Sequence, residues 1–160
     1  MTHIRAIETE YKGYRFRSRL EARWAVCFDE LDIPWRYELE GFELGRYRYL
    51  PDFYLPEMAL WVEIKGKPPE PEEFIKATLL AQRDKADAVL LTWEYFEPAT
   101  AQDNVLFWHD DNGVLHSQQG WPWLSSPETG WKAARRARFD GRQGLPWCDW
   151  GDTRYGELPY

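Results

Sequence analysis

The sequence contains little cysteine, little histidine and no long apolar run. Its 160 residues include two cysteines, Cys27 and Cys148, and three histidines. Without a C-x-x-C motif, two cysteines exclude a disulfide scaffold and a cysteine-based zinc site as organising features of the fold. No run approaches the ~18 apolar residues that a membrane span needs, and no apolar stretch follows the first residues. We therefore expect no signal peptide, no membrane partner and a cytoplasmic location.

Positive charge is scarce overall but clustered. The 20 Lys and Arg residues are outnumbered by 27 Asp and Glu residues, and the net charge of −7 argues weakly against nucleic acid as a partner. Segments 11–23 and 132–142 reverse this balance. They are either solvated faces or parts of a binding surface. Their arginines are Arg15, Arg17, Arg19 and Arg23 in the first segment, and Arg135, Arg136, Arg138 and Arg142 in the second.

The composition is globular and predicts a core domain followed by a tail. Hydrophobic residues make up 44% of the chain and aromatic residues 17%, enough for a sizeable core. We predict a core domain over 1–119, ending in a hairpin, and a Trp-, Pro- and Gly-rich tail over 120–160. The tail has one predicted basic helix, over 128–139. We expect the tail to pack on the core or on a partner.

The strongest predicted element is a helix over 18–31. Leu20 and Trp24 belong to an apolar stripe with helical spacing. Ser18 and Glu21 have the S-x-x-E spacing of a capping box, in which each side chain caps the other's backbone N–H. The sequence therefore predicts both the helix and its first residue.

Extended segments and turn signals predict the rest of an α-β-β-β-α-β order in residues 16–95. Period-two alternation and aromatic residues indicate strands, and an acidic first turn suits the second helix. The predicted elements are strands over 35–39, 47–55 and 60–65, a helix over 71–83 and a buried strand over 88–93. The predicted fold class is therefore α/β, a mixed sheet flanked by helices.

Two carboxylates and a lysine form the most informative constellation. Glu63 and Lys65 share one face of a strand because they alternate with apolar residues. If the preceding strand pairs Asp52 with Glu63, their Cβ atoms lie about 4.5–5.5 Å apart. A slip of one residue would put these carboxylates on opposite faces, and the sequence leaves the register open.

Such a pair of carboxylates takes up a proton or binds a cation. Hard oxygen ligands suit Mg²⁺, with Mn²⁺ as a substitute. A bound cation lowers the pKa of its water and neutralises charge on a phosphate, and Lys65 beside it stabilises that charge or orients the water. Glu21 is a candidate third carboxylate, although its capping role needs no catalysis.

These residues resemble the PD-(D/E)XK nuclease superfamily. Pro51-Asp52 is followed, after ten residues, by Glu63-Ile64-Lys65, and a helix bearing Glu21 precedes them. The resemblance implies a restriction-endonuclease-like core over residues 16–95. It implies that Asp52, Glu63 and the Ile64 carbonyl hold Mg²⁺ and that Lys65 positions or activates water. It also implies that Glu21 binds a second metal or a metal-bound water.

The implied activity is Mg²⁺-dependent hydrolysis of DNA that leaves 5′-phosphate ends. Many exonuclease-like members carry a glutamine and a tyrosine on the second helix. Here Gln82 lies on that helix, but residue 86, four positions later, is alanine rather than tyrosine. We therefore expect an endonuclease, selective for junctions or flaps. Such enzymes are usually dimers, so we expect a homodimer. All arginines of the two clusters except Arg142 would contact the substrate backbone. One alternative is a catalytically silent nucleic-acid-binding or assembly module that docks a protein partner on its tail, and another is a ribonuclease.

Two further features are expected to be structural. Asn112-Gly113 predicts a type I′ hairpin between 105–109 and 114–117, which would pair His109 with His116. Two imidazoles make only part of a transition-metal site, so a structural hairpin is favoured. Cys27 lies on the apolar helix stripe and is expected in the core.

Overall fold

The computed structural model describes residues 6–83, 87–93 and 104–119 and, in the tail, Gly130, Ala133, Ala134, Arg136, Ala137 and Phe139. The chain divides into two compact units. One consists of Met1–Asp32 with Ser126–Tyr160, and the other of Ile33–Ser125. Most of the predicted tail over 120–160, including Cys148, lies outside the described residues.

The first unit begins with a tight hairpin that is not predicted from the sequence. Strands β1 (Thr9–Tyr11) and β2 (Tyr14–Phe16) pair antiparallel. Lys12 and Gly13 connect them, and both have positive φ, of 48° and 79°. Positive φ at both central positions is the signature of a type I′ turn, whose twist matches that of the strands.

Helix α1 (Arg19–Glu30) confirms the helix predicted over 18–31. Ser18 is its N-cap, and the Ser18 hydroxyl oxygen accepts a hydrogen bond from the Glu21 N–H at 3.2 Å. Cys27 lies fully buried in the apolar stripe, so its expected place in the core is confirmed. Burial raises the pKa of the Cys27 thiol, which keeps it protonated and unreactive.

Small tail residues pack against α1. A tail helix is predicted over 128–139, and every described residue from Gly130 to Arg136 is helical. Ala133 and Ala137 contact Val26 of α1. Alanine side chains at this contact allow the two segments to approach closely.

Gly130→Ala is expected to lower the free energy of unfolding by about 1–2 kcal/mol. A Cβ at Gly130 would lie 2.7 Å from Leu31 Cγ and 2.9 Å from the Cys27 carbonyl oxygen. This clash outweighs the helix propensity that alanine adds. Gly41→Ala is the matched control, because a Cβ there meets only Leu50 Cδ1, at 4.0 Å. Urea unfolding measures both variants, and equal midpoints would contradict the close approach.

Among the described residues, the second unit contains eight strands and helix α2. In chain order they are β3 (Arg36–Tyr37), β4 (Phe42–Leu44), β5 (Tyr47–Tyr49), β6 (Phe53–Leu55), β7 (Leu60–Lys65), α2 (Pro71–Arg83), β8 (Ala88–Trp93), β9 (Asn104–His109) and β10 (Leu115–Gln119). Six strands form one sheet in the order β10-β9-β8-β7-β6-β3, and β4 pairs with β5 in a separate hairpin. Strands β7 and β8 run parallel, connected through α2, and the other neighbours run antiparallel.

This mixed sheet and the two helices confirm the α/β class. Strand β7, helix α2 and strand β8 have the bounds that the sequence predicts. A 3-10 turn, Pro56–Met58, connects β6 to β7 where a turn is predicted. Neither described helix combines the length and the apolar character that crossing a membrane requires.

The segment predicted as one strand over 47–55 is two strands, which corrects the prediction. Strand β5 belongs to the separate hairpin, whereas β6 joins the large sheet. The break falls at Leu50 and Pro51, and proline has no N–H to donate to a ladder. Backbone pairing resumes at Asp52, whose carbonyl oxygen accepts a hydrogen bond from the Glu38 N–H at 2.9 Å.

The hairpin of β9 and β10 is present, but its register differs from the prediction by one residue. His116 lies opposite Trp108, and Leu115 lies opposite His109. The prediction that His109 and His116 are cross-strand partners is therefore wrong. Because adjacent residues of a strand point to opposite faces, the two histidines lie on opposite faces of the ladder and share no metal site.

The turn of this hairpin explains the shifted register. Gly113 has a φ of 76°, whereas Asn112 has no positive φ, and a type I′ turn needs positive φ at both residues. The Asp110 side chain instead accepts hydrogen bonds from the N–H groups of Asn112 and Val114, both at 2.9 Å. This aspartate-capped loop is longer than the predicted two-residue turn. The pairing of β9 with β10 is therefore displaced by one residue from the predicted register.

Helix α2 and the β4–β5 hairpin cover one face of the sheet. Trp61 of β7, Leu91 of β8 and Phe107 of β9 supply the sheet side of this core. The helix contributes Ala77 and Leu80. Because side chains alternate along β7, Glu63 and Lys65 lie on the same face as Trp61 and therefore beneath α2 and the hairpin.

Candidate active site

Asp52 and Glu63 are both buried at one end of the β6–β7 hairpin. The ladder ends with Phe53 opposite Val62, and extending this register by one residue sets Asp52 opposite Glu63, which is the register hypothesised from the sequence. Asp52 is 3% exposed and Glu63 is 7% exposed. An Asp52 carboxylate oxygen accepts a hydrogen bond from the Ile64 N–H at 2.7 Å, which fixes the carboxylate beside β7.

Lys65 supplies a cation between two carboxylates. Its Nζ lies 2.5 Å from Glu63 Oε1 and 2.9 Å from Glu73 Oε1. Burial acts to lower the pKa of Lys65, but Glu63 and Glu73 outweigh it, and the pKa lies above its usual value. Lys65 is therefore an ammonium that donates hydrogen bonds, and its charge offsets that of the buried acids.

Glu73 also belongs to the site, although its sequence position predicts only an acidic first turn of the second helix. It lies in the first turn of α2 and accepts a hydrogen bond from the Glu70 N–H at 2.7 Å through Oε2. Its other oxygen, Oε1, contacts Lys65. One carboxylate thus caps the helix and anchors the lysine. The sequence signal for this cap is the spacing of Glu70, which directly precedes the helix, and Glu73, three residues later.

Tyr49 is a second residue that sequence reasoning missed. It is buried on the inner side of the β4–β5 hairpin. Burial raises the pKa of its phenol well above the usual value, and the negative charges of Glu63, Asp52 and Glu73 raise it further. The phenol is therefore neutral and keeps its proton, so its hydroxyl is available as a hydrogen-bond donor.

Glu73→Gln is expected to keep the fold but to change its response to acid. Burial acts to raise the pKa of Glu73, but Lys65 and the Glu70 N–H hold it below its usual value of 4.5. The stability that Glu73 contributes is therefore present above pH 4.5 and is lost as the pH falls through the lowered pKa.

Glutamine still accepts the capping hydrogen bond, so the loss of stability at pH 7 should stay under about 1 kcal/mol. Unfolding free energies measured from pH 7 down to pH 3 should fall less steeply in this variant than in the wild type. Glu72→Gln, in the same helical turn but paired with Lys76 instead, is the matched control. An unchanged slope for Glu73→Gln would contradict the ion pair with Lys65.

Glu21 lies in the first unit, in helix α1, and is 7% exposed. Its Oε1 accepts a hydrogen bond from the Ser18 hydroxyl at 2.7 Å, and its Oε2 accepts one from the Arg17 N–H at 3.2 Å. These contacts stabilise the start of helix α1, which is the structural alternative to a catalytic role for Glu21. A catalytic role for Glu21 stays a prediction.

The predicted arginine clusters are only partly at the surface. Arg15 is exposed and forms an ion pair with Glu8 at 2.6 Å. Arg17 is exposed and Arg19 is half-buried, but Arg23 is 5% exposed and does not belong to an exposed basic cluster. Arg136 is exposed. Arg135 and Arg138 lie outside the described residues, as does Arg142.

The donor set of the second unit fits Mg²⁺. Among the described residues, no group of three or more His, Cys, Asp and Glu side chains is arranged to hold a metal ion. Mg²⁺ requires fewer, because one or two carboxylates suffice when water fills its remaining positions. Asp52 and Glu63 are two buried carboxylates of this kind, and the Ile64 carbonyl stays a predicted further ligand.

Comparisons with known proteins add no family to this description. The sequence matches no protein-family model, and no curated protein matches it significantly. The geometry of Asp52, Glu63, Lys65 and Glu73 is therefore the basis for assigning chemistry to this chain.

Proposed function

We propose that this chain is a Mg²⁺-dependent deoxyribonuclease of the PD-(D/E)XK type, acting as an endonuclease. The observation that carries the proposal is the pair of buried carboxylates, Asp52 and Glu63, with the Lys65 ammonium against one of them. Burying charged groups is costly, and such groups concentrate at functional sites. A purely structural core would place apolar residues there at lower cost.

The roles of the residues follow from their chemistry. Asp52 and Glu63 would hold the cation, which when bound lowers the pKa of its water and neutralises charge on the phosphate. Lys65, as an ammonium, would donate a hydrogen bond to a non-bridging phosphate oxygen or to the attacking water. Glu73 would hold Lys65 in that position. Glu73 and Tyr49 extend the predicted site beyond its sequence motif.

The proposed reaction is hydrolysis without a covalent intermediate. The water oxygen forms a bond to phosphorus as the bond from phosphorus to the 3′ oxygen breaks. The leaving oxygen takes up a proton to give a 3′-hydroxyl, and the phosphate stays on the 5′ end of the other product. The preference for junctions or flaps, the choice of DNA over RNA and a homodimeric state belong to the same proposal.

A cleavage panel tests this function. The full chain is incubated with duplex, single-stranded, flapped and four-way-junction DNA and with RNA, each with Mg²⁺, Mn²⁺ or EDTA. We expect cleavage with Mg²⁺ or Mn²⁺, none with EDTA, and products with 5′-phosphate ends. Binding without cleavage under every metal would overturn the proposal and favour the silent binding or assembly module.

A further inference from the structure

A row of cations lies along the edge where helix α2 meets the β4–β5 hairpin. Arg46 and Lys76 both lie over the ring of Tyr47, at 4.9 and 5.8 Å from its centroid. Arg83 lies over the ring of Phe42, at 5.1 Å. Arg46 also donates a hydrogen bond to the Tyr47 hydroxyl at 2.7 Å. We call Arg46, Lys76 and Arg83 the α2 rim.

The α2 rim begins near the carboxylate site. Lys76 and Arg83 are seven residues apart on α2, so they share one side of the helix and lie about 10 Å apart along its axis. Glu73, which contacts Lys65, precedes Lys76 by three residues and is its neighbour on the helix surface. The row therefore runs from the lysine of the site along the helix.

The charge and the rigidity of this row favour a polyanion. Arg46 and Arg83 are exposed, and neither forms an ion pair with a described carboxylate, whereas Lys76 pairs with Glu72 at 2.6 Å. Aromatic rings beneath cations hold them in place, so binding costs less side-chain entropy. On an acidic chain, exposed cations preorganised in this way are complementary to phosphates.

We propose that the α2 rim binds the backbone phosphates of the nucleic-acid strand that enters the carboxylate site. This inference rests on the proposed nuclease function and names the path of its substrate. One strand of B-DNA advances about 3.4 Å per nucleotide, so the 10 Å between Lys76 and Arg83 spans about three nucleotides. Contacts of this kind position the strand and do not read its sequence.

The test measures binding without cleavage. Arg46→Met/Arg83→Met removes the two rim charges that form no ion pair with a described carboxylate and keeps an unbranched apolar stem over each ring. Arg36→Met/Arg48→Met is the matched control, because both arginines are exposed in the same unit and lie outside the rim. Fluorescence anisotropy with labelled duplex and single-stranded DNA is recorded in EDTA at several salt concentrations.

We expect the rim variant to weaken duplex binding about tenfold or more and to lower the slope of log K against log salt by about 2. The control should change the slope by less than half as much. A rim variant that binds like the wild type, or a control that loses as much, would overturn the inference even if the enzyme cleaves DNA. Absence of nucleic-acid binding by the wild type would overturn it too.

The binding test and the cleavage test can fail independently. Weakened binding by the rim variant would support the inference about the α2 rim even if the wild type failed to cleave DNA.

Discussion

Lys65→Ala is expected to lower Mg²⁺-dependent cleavage about 10²–10³-fold while the chain stays folded. The ammonium, which lies 2.5 Å from Glu63 Oε1, would stabilise negative charge that develops on the phosphate. The substitution also leaves Glu63 and Glu73 without the charge between them, so the free energy of unfolding should fall by about 1–3 kcal/mol. Single-turnover cleavage and urea unfolding measure the two effects.

Lys67→Ala is the matched control for Lys65→Ala. Lys67 lies two residues further on, and its ion pair, with Glu70 at 2.9 Å, is exposed. It should keep cleavage within about threefold and stability within about 0.5 kcal/mol of the wild type. Equal losses in the two variants, or unfolding of Lys65→Ala, would indicate that Lys65 is structural rather than functional.

Two substitutions of Asp52 are expected to separate its structural and functional roles. Asp52→Asn keeps an oxygen that accepts the Ile64 N–H, now bonded at 2.7 Å, but removes a negative charge from the proposed cation site. Cleavage should fall at least about 100-fold, with little change in stability. Asp52→Ala leaves the Ile64 N–H buried and unbonded, which should cost about 1–3 kcal/mol of stability as well.

Cleavage across a Mg²⁺ titration and chemical unfolding distinguish the two Asp52 variants. Asp111→Asn, an exposed carboxylate-to-amide change in the β9–β10 turn, is the control for the loss of charge. Wild-type cleavage by Asp52→Asn would reject Asp52 as a cation ligand. Equal stability of Asp52→Asn and Asp52→Ala would show that the bond to Ile64 contributes little to the fold.

The elements that the sequence predicts well are those whose signals are local. Helix α1 starts at the Ser18-x-x-Glu21 capping box, and α2 starts at Pro71 with acids in its first turn. The β6–β7 register, which the sequence leaves open, is set in the structure by the short turn over Pro56–Met58, which leaves the strands little freedom to slip. The spacing of Glu63 and Lys65 is enough to put them on one face, and this register adds Asp52.

The elements that the sequence does not predict depend on turn conformation and on tertiary packing. Gly45, with a φ of 64°, starts a two-residue turn between β4 and β5, and this hairpin is missed because 47–55 reads as one strand. Tyr49 is missed with it. Predicting Glu73 would require knowing that the start of α2 lies beside the end of β7. The shifted pairing of His109 comes from a turn type that the dipeptide alone does not determine.

The site is also local along the chain. The bond from Asp52 to Ile64 joins residues only 12 positions apart, and Lys65 and Glu73 are closer still in sequence. Closing a loop of about ten residues takes about 10–100 ns and carries a small entropic cost compared with pairing distant strands. We therefore expect the carboxylate site to assemble before β7 pairs with β8, whose partners, such as Leu60 and Ala88, lie further apart in sequence.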